Sequence, residues 1–341
     1  MTILVLRFSA IGDVAMTVPV VRALAMARPD LHIVMASRPF AKAFYEDLAE
    51  NVSFVGYDLK QPRYKGTWGM EHLYQDLSSL RPDMVADLHD VLRTKYCRLR
   101  FRLRGVPVAA IDKHRAGRKA LVRAEHKVME QQPTSFEKYH QVFRALGLDF
   151  TLTAGAPLSL AESVENGTAP LLYGTHIGIA PFAAHAGKIY PTERMEVVIQ
   201  LLQQAHPDLG IVLFGGGAKE KEQFEMWANT YDHVAYAGNI CQGMRQELAL
   251  MQQLRCMVSM DSGNMHMASL VGTPVVSVWG ATHPLAGFVG WGQDPADCVQ
   301  HDLPCRPCSI YGNRPCRRGD YACLNGIEPE EIVSRVEQYL K

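Results

Sequence analysis

Neither sign of charge dominates this 341-residue chain: 35 Lys and Arg stand against 35 Asp and Glu. No global field would therefore hold it on nucleic acid or on an anionic membrane, and any such contact has to be local. Long apolar runs are also missing. Arg7, Asp13 and Arg22 interrupt the apolar N-terminal region, so nothing there reads as a membrane span. The opening Thr2-Ile3-Leu4-Val5-Leu6 meets Arg7 with no basic segment before it and no small-residue cleavage site after it, and reads as the first strand of a cytoplasmic protein rather than a secretory signal. No repeat or low-complexity tract occurs. No G-x-G-x-x-G follows a first strand, which argues against a nicotinamide dehydrogenase.

What is present is ordinary globular composition, 48% hydrophobic and 21% charged, over a length that suits two domains of roughly 100–200 residues. Short apolar runs alternate with longer segments of helical period, the pattern of βα units in a parallel sheet. The first half predicts strands at residues 2–8, 31–36, 52–55, 84–88 and 106–111, with helices near 14–27, 40–49, 71–80, 92–100 and 136–146. Residues 159–172 (SLAESVENGTAPLL) lose periodicity and read as a linker. A second series follows, with strands at 176–180, 210–214, 234–236, 256–259 and 275–278 and a last helix at 329–340. Two α/β domains leave a cleft, and ligands of such sheets bind beyond the carboxyl ends of the strands, so the loops after the strands hold the candidate residues.

After the first strand, Gly12 permits a tight turn and Asp13 opens a helix, either as a cap or as a carboxylate that takes a proton from a hydroxyl. The loop 181–188 is built of small residues and ends on Lys188, a mobile point charge suited to phosphate or else a solvated surface lysine. Gly215-Gly216-Gly217 forms a plain turn or a close approach for a nucleotide, with acidic residues following. The sharpest local feature is Asp261-Ser262-Gly263-Asn264-Met265-His266. Ser262 suits an N-cap, Gly263 removes side-chain bulk, and the exposed N–H groups of the helix start make an anion cradle, with His266 on the same face.

Four of eight cysteines cluster as C-x2-C-x7-C-x6-C at Cys305, Cys308, Cys316 and Cys323. They read as packed thiols, a disulfide or a structural zinc site, although zinc ribbons carry a second close pair that is lacking here. Between Arg93 and Lys127, twelve basic residues face only Asp112 and Glu125, a local net charge of +10. Such a run is a solvated face or a docking surface for an anionic partner, and its thin aromatic content disfavours stacked nucleic acid.

Taken in order, these motifs resemble glycosyltransferase family nine, the ADP-heptose:lipopolysaccharide heptosyltransferases, over nearly the full length. The matching segments are Ile11-Gly12-Asp13, Asp87-Leu88-His89-Asp90 with Arg93 after it, the Lys188 loop, the Gly215–Gly217 turn, Asp261 to His266 and Gly272 to Gly280. The resemblance implies an α/β GT-B fold of two Rossmann-like domains whose parallel sheets face an interdomain cleft. Residues 1–165 would bind acceptor, 173–327 would bind nucleotide sugar, and the helix in 328–341 would pack back on the first domain. It further implies that Asp13 is the base, that Lys188 holds the diphosphate, that Glu220 binds ribose and that Met244 lies against the nucleobase. Ser262, Gly263 and His266 would line the phosphates and Asp261 would hold the donor sugar. Ala183 and Ala184 stand where threonines often occur in that family. With no Asp-x-Asp motif in the chain, the consistent mechanism is a metal-free inverting displacement that needs no cofactor. Arg93, Lys95, Arg115 and Arg118 would meet an anionic glycolipid acceptor, with peripheral contact at the inner membrane surface. A related transferase using another nucleotide sugar, and a non-catalytic binding protein using the basic segment and cysteine loop, are the alternatives.

Overall fold

Short strands of Val, Ile, Leu and Met that bury both faces oblige helices to cover the sheet on either side. The computed structural model, which describes residues 1–341 with the side chain of Thr67 excepted, has this arrangement twice. The first sheet contains β1 (Thr2–Leu6), β2 (His32–Ser37), β3 (Val52–Gly56), β4 (Met84–Asp87) and β5 (Val108–Ala110), in the spatial order 3-2-1-4-5. The second contains β6 (His176–Ala180), β7 (Gly210–Leu213), β8 (Val234–Tyr236), β9 (Met257–Met260), β10 (Val275–Trp279) and β11 (Cys298–Gln300), in the order 11-10-9-6-7-8. Every pairing is parallel. Renumbered from β6, the second order repeats the first with one strand added. Each sheet thus has one switch point, between β1 and β4 and between β6 and β9, where successive loops leave in opposite directions and open a crevice.

Most strands fall where the apolar runs predict them, whereas β11 does not announce itself, since Cys-Val-Gln is too short for a period to register. The first predicted helix is two helices, Ile11–Ala15 and Val18–Ala27, the second admitting Pro19 in its first turn, where no N–H is needed. A further helix, Arg115–Leu121, lies inside the basic run.

The chain divides into two units, Met1–Lys113 with Ser135–Pro157, and His114–Thr134 with Leu158–Lys341. This division differs from the expected bounds in two places. First, residues 114–134 belong with the second unit. Gln132 N–H donates to the Leu285 carbonyl at 2.8 Å, and Lys127 Nζ donates to the carbonyls of Cys305 and Pro307, each at 2.6 Å. Second, the C-terminal helix Pro329–Leu340 is grouped with the second unit, against whose helix Thr192–Ala205 it packs. Ile332 and Val336, one turn apart, are fully buried in the cluster that also holds Ile199 and Leu202 of the helix Thr192–Ala205. His206 Nε2 to Glu337 Oε1, at 2.8 Å, closes the same helix pair at its rim. Among the described residues no helix is long and apolar enough to cross a membrane.

Candidate active site

In the first unit, the β1 and β4 loops meet at the switch point. Arg7, just past β1, donates Nη1 to the Leu88 carbonyl at 2.7 Å, and its Nη2 lies 2.6 Å from Asp13 Oδ2. Asp13 is the third residue of the helix Ile11–Ala15, not its N-cap, and the same carboxylate oxygen accepts the Ala10 N–H at 3.1 Å. The carboxylate therefore closes the helix start and forms an ion pair at once. Its side chain stays 30% exposed where that of Arg7 is 8%, so the base candidate is open to a substrate while the cation behind it is sealed. Tyr139 donates its hydroxyl to the Asp13 carbonyl at 3.2 Å, fixing the backbone. His89 Nδ1 accepts the Phe8 N–H at 3.4 Å, and burial together with the charge of Arg7 pushes its pKa down to about 3, leaving a neutral ring.

In the second unit, the β6 and β9 loops meet in the same way. Lys188 ends a single 3-10 turn, Ala186–Lys188, strapped down by the Ala281 N–H to Gly187 carbonyl bond at 2.8 Å. A Cβ at Gly187 would come within 2.9 Å of Ala281 Cβ, so the approach requires glycine. From there Lys188 Nζ reaches Asp261 Oδ2 at 3.0 Å, with both side chains largely buried. Ser262 takes the N-cap position of the helix Gly263–Leu270, yet its Oγ lies 3.3 Å from Ser259 Oγ and makes no capping bond. The first-turn N–H groups, which the helix cannot satisfy internally, keep their capacity for an anion. His266 is buried in that first turn. Lys188, Asp261, Ser262, Gly263 and His266 are thus brought together.

Glu220 and Met244 belong to the next two loops. Glu220 Oε2 accepts the Gly216 N–H at 2.7 Å, folding the acid over the Gly215–Gly217 turn and leaving its other oxygen available. The Tyr236 hydroxyl ties the same turn through the Gly215 carbonyl at 3.3 Å. Met244 opens the helix Met244–Gln252 and is half-buried. One turn on, burial pushes the Glu247 carboxyl upward, and Glu247 in turn adds to the upward shift of the Tyr236 and Cys241 acids. Arg7 and Glu247 lie outside the motifs that mark the other site residues. An arginine closing an all-apolar strand was a readable signal for the first, whereas nothing local marked the second.

The four basic candidates part company. Arg93 and Lys95 lie on the helix Leu92–Leu103 of the first unit, Arg93 donating Nη2 to the Tyr64 carbonyl at 3.2 Å and Lys95 lying 3.7 Å from Asp90. Arg115 and Arg118 lie in the second unit. Arg118 donates Nη1 to the Tyr311 hydroxyl at 2.9 Å, with its guanidinium 5.0 Å from the Phe288 ring centre. Cys305, Cys308, Cys316 and Cys323 line one pocket and all are free thiols. Burial pushes the thiols of Cys308 and Cys323 up, the latter to about 11. At Cys316 burial acts the same way, but backbone hydrogen bonds from Tyr321, Arg318, Gly319 and Asp320 outweigh it and lower the pKa. Buried Arg306 shares the pocket, its guanidinium bonded to the carbonyls of Gly280, His301, Trp279 and Thr282 at 2.6–3.1 Å. Among the described residues no group of three or more His, Cys, Asp or Glu is arranged to hold a metal ion.

Two Rossmann-ordered parallel sheets in one chain, each with its polar residues gathered at the switch point, make the fold GT-B. The model of glycosyltransferase family 9 (heptosyltransferase) matches residues 70–315. Lipopolysaccharide heptosyltransferase 1 of Pseudomonas aeruginosa is 24% identical over 367 aligned positions, covering 100% of this chain and 98% of that protein. Among solved structures, the family 9 glycosyl transferase from Veillonella parvula superposes with a TM-score of 0.72 at 18% identity, covering 99% of this chain and 97% of that one. The E. coli heptosyltransferase WaaC with ADP gives 0.69 at 16% identity, covering 99% and 100%. The chain belongs to glycosyltransferase family 9, the heptosyltransferases.

Proposed function

We propose that this enzyme moves a heptose from ADP-heptose to a lipopolysaccharide inner-core acceptor of the Kdo–lipid A type, with inversion at the anomeric carbon. Asp13 takes the proton of the acceptor hydroxyl, the oxygen forms its bond to the anomeric carbon, and the bond from that carbon to the diphosphate oxygen breaks, its electron pair leaving with ADP. Arg7 positions Asp13 and supports its ionised form. As charge builds on the departing diphosphate, Lys188 and the first turn of the helix Gly263–Leu270 receive it, with Ser262 and His266 alongside, which requires no cofactor. Asp261, released from Lys188, accepts hydrogen bonds from sugar hydroxyls, while Glu220 and Met244 take the ribose and the base. Arg93, Lys95, Arg115 and Arg118 meet the anionic groups of the acceptor. That acceptor is lipid-anchored, so the enzyme works from the cytoplasm at the inner membrane surface.

The observation that carries this reading is the Lys188–Asp261 pair at 3.0 Å beside the uncapped helix start: a cation for the diphosphate and a carboxylate for the sugar, held one beside the other. Calorimetric titration with ADP, UDP, GDP and NAD tests it. ADP should bind best, and Lys188→Ala should weaken it by about tenfold or more, the loss of one charge-assisted contact. A preference for UDP or GDP would keep the family and move the donor to another sugar, and no binding of any nucleotide would overturn the reading.

A further inference from the structure

The helix Leu92–Leu103 wears apolar side chains on the side that faces away from the protein. At 100° per residue, Leu92, Leu99 and Leu103 fall within about 40° of one another. They are 75%, 55% and 75% exposed, while buried Thr94, Cys97 and Phe101 occupy the opposite face. Basic residues border the leucine stripe on both sides, Lys95 and Arg102 on one, Arg93, Arg100 and Arg104 on the other, and the segment from Val91 to Gly105 contains no acid. Some of these charges are spoken for, since Arg100 pairs with Glu71, and Arg98 pairs with Asp87 and Asp90. Arg102 and Arg104 bond only neutral groups, the Val108 carbonyl and the Ser78 hydroxyl, so among the described residues neither is in an ion pair.

A second helix adds to the same face. Trp68, 76% exposed, lies in the first turn of Gly66–Ser79, three residues before Glu71, whose carboxylate accepts the Tyr96 hydroxyl at 2.5 Å and pairs with Arg100. Leu92 lies four residues before Tyr96. The two adjoining helices therefore each expose a large apolar side chain in the first turn, a tryptophan on one and a leucine on the other.

We infer that this face docks on an anionic phospholipid bilayer, with Leu92, Leu99, Leu103 and Trp68 entering the acyl boundary and the flanking basic residues meeting the headgroups. An apolar stripe between basic margins is the pattern of an interfacial helix, and tryptophan favours that depth. A second copy of the chain fits poorly, because a symmetric pairing would set basic margin against basic margin. The inference rests on the proposed work at a membrane surface and deepens it by naming the surface that holds the protein there.

The full-length protein is floated with vesicles of phosphatidylcholine and phosphatidylglycerol, and with vesicles of phosphatidylcholine alone. It should float with the anionic vesicles and stay behind with the neutral ones. The triple variant Leu92→Ser, Leu99→Ser, Leu103→Ser should lose about tenfold or more of this binding while titrating with ADP as the parent does. Brominated phosphatidylglycerol should quench tryptophan fluorescence in the parent and much less in Trp68→Phe, whose remaining tryptophans are the fully buried Trp227 and Trp279 and the half-buried Trp291. Equal flotation of the triple variant, or no flotation of the parent, overturns the inference. So does a dimer seen by light scattering that the triple variant abolishes, which would make the face a self-interface. Failure to bind ADP in both proteins would instead count against the transferase reading and leave the vesicle result to stand by itself.

Discussion

Arg7 is the single charge that closes an otherwise apolar strand, and its two short bonds, to the Leu88 carbonyl and to Asp13, make it the brace of the candidate base. Asp13→Ala should abolish transfer and leave ADP affinity within a few fold, and calorimetry beside a product assay separates the two; joint loss of both would reduce Asp13 to a helix-closing residue. Arg7→Met should lower kcat by about tenfold or more with KM for the donor little changed, and Arg7→Lys should recover part of the loss, since it keeps the charge but not the two-pronged geometry. His89 has a different consequence. Its folded pKa of about 3 lies below the unfolded value of about 6.5, so the unfolded chain binds the extra proton in that interval and stability falls as pH drops through it. Buried His283, pushed down to about 4, adds in the same direction. Urea midpoints should decline between neutral pH and about pH 5, and His89→Asn should reduce the slope; an unchanged slope would show that the ring does not carry it.

Among the elements, those with a long, unbroken period are legible in the sequence. Residues 329–340 read as a helix and form one, because Pro329, the acids after it and the Ile332–Val336 spacing agree with one another. What it packs against was not legible, since an apolar stripe states that it needs a partner and not which one. Ile332→Ala should cost about 2–5 kcal/mol, read as a shift in the urea midpoint, because the side chain is fully enclosed by the second unit's core. The Asp261–His266 segment was readable because a polar residue, a cap and a glycine come in succession between a strand and a helix. The Lys188–Asp261 pair was not, since 73 residues separate the partners and only the strand order unites them. The cysteine loop is the reverse case, conspicuous in spacing and built around Arg306. Protein purified without added metal should contain well below one zinc per chain and should yield all eight thiols to a thiol reagent after denaturation, whereas stoichiometric zinc would show that the thiols rearrange into a ligand set.

At the scale of the molecule, neither unit is continuous in sequence. The chain passes from the first unit to the second after Lys113, returns at Ser135 and leaves again after Pro157. This was hidden in the sequence because a basic run reads the same whichever body carries it. The +10 segment is in fact shared, with seven of its basic residues up to Lys113 in the first unit and five beyond it in the second.

The excursion also imposes an order on biosynthesis. Residues 114–134 emerge early from the ribosome, but Lys127 bonds carbonyls at Cys305 and Pro307, and Arg118 bonds Tyr311, groups lying 178–193 positions later. At about 5–20 residues per second, that separation is a wait on the order of 10–40 s. During it the first unit can complete its sheet and helices, while this basic stretch hangs from it as an unfinished loop with no docking site yet made. A nascent chain stalled once residue 157 has cleared the ribosome should therefore be cut by trypsin between 115 and 127 and protected elsewhere in the first unit, and that cleavage should disappear once the cysteine loop has emerged.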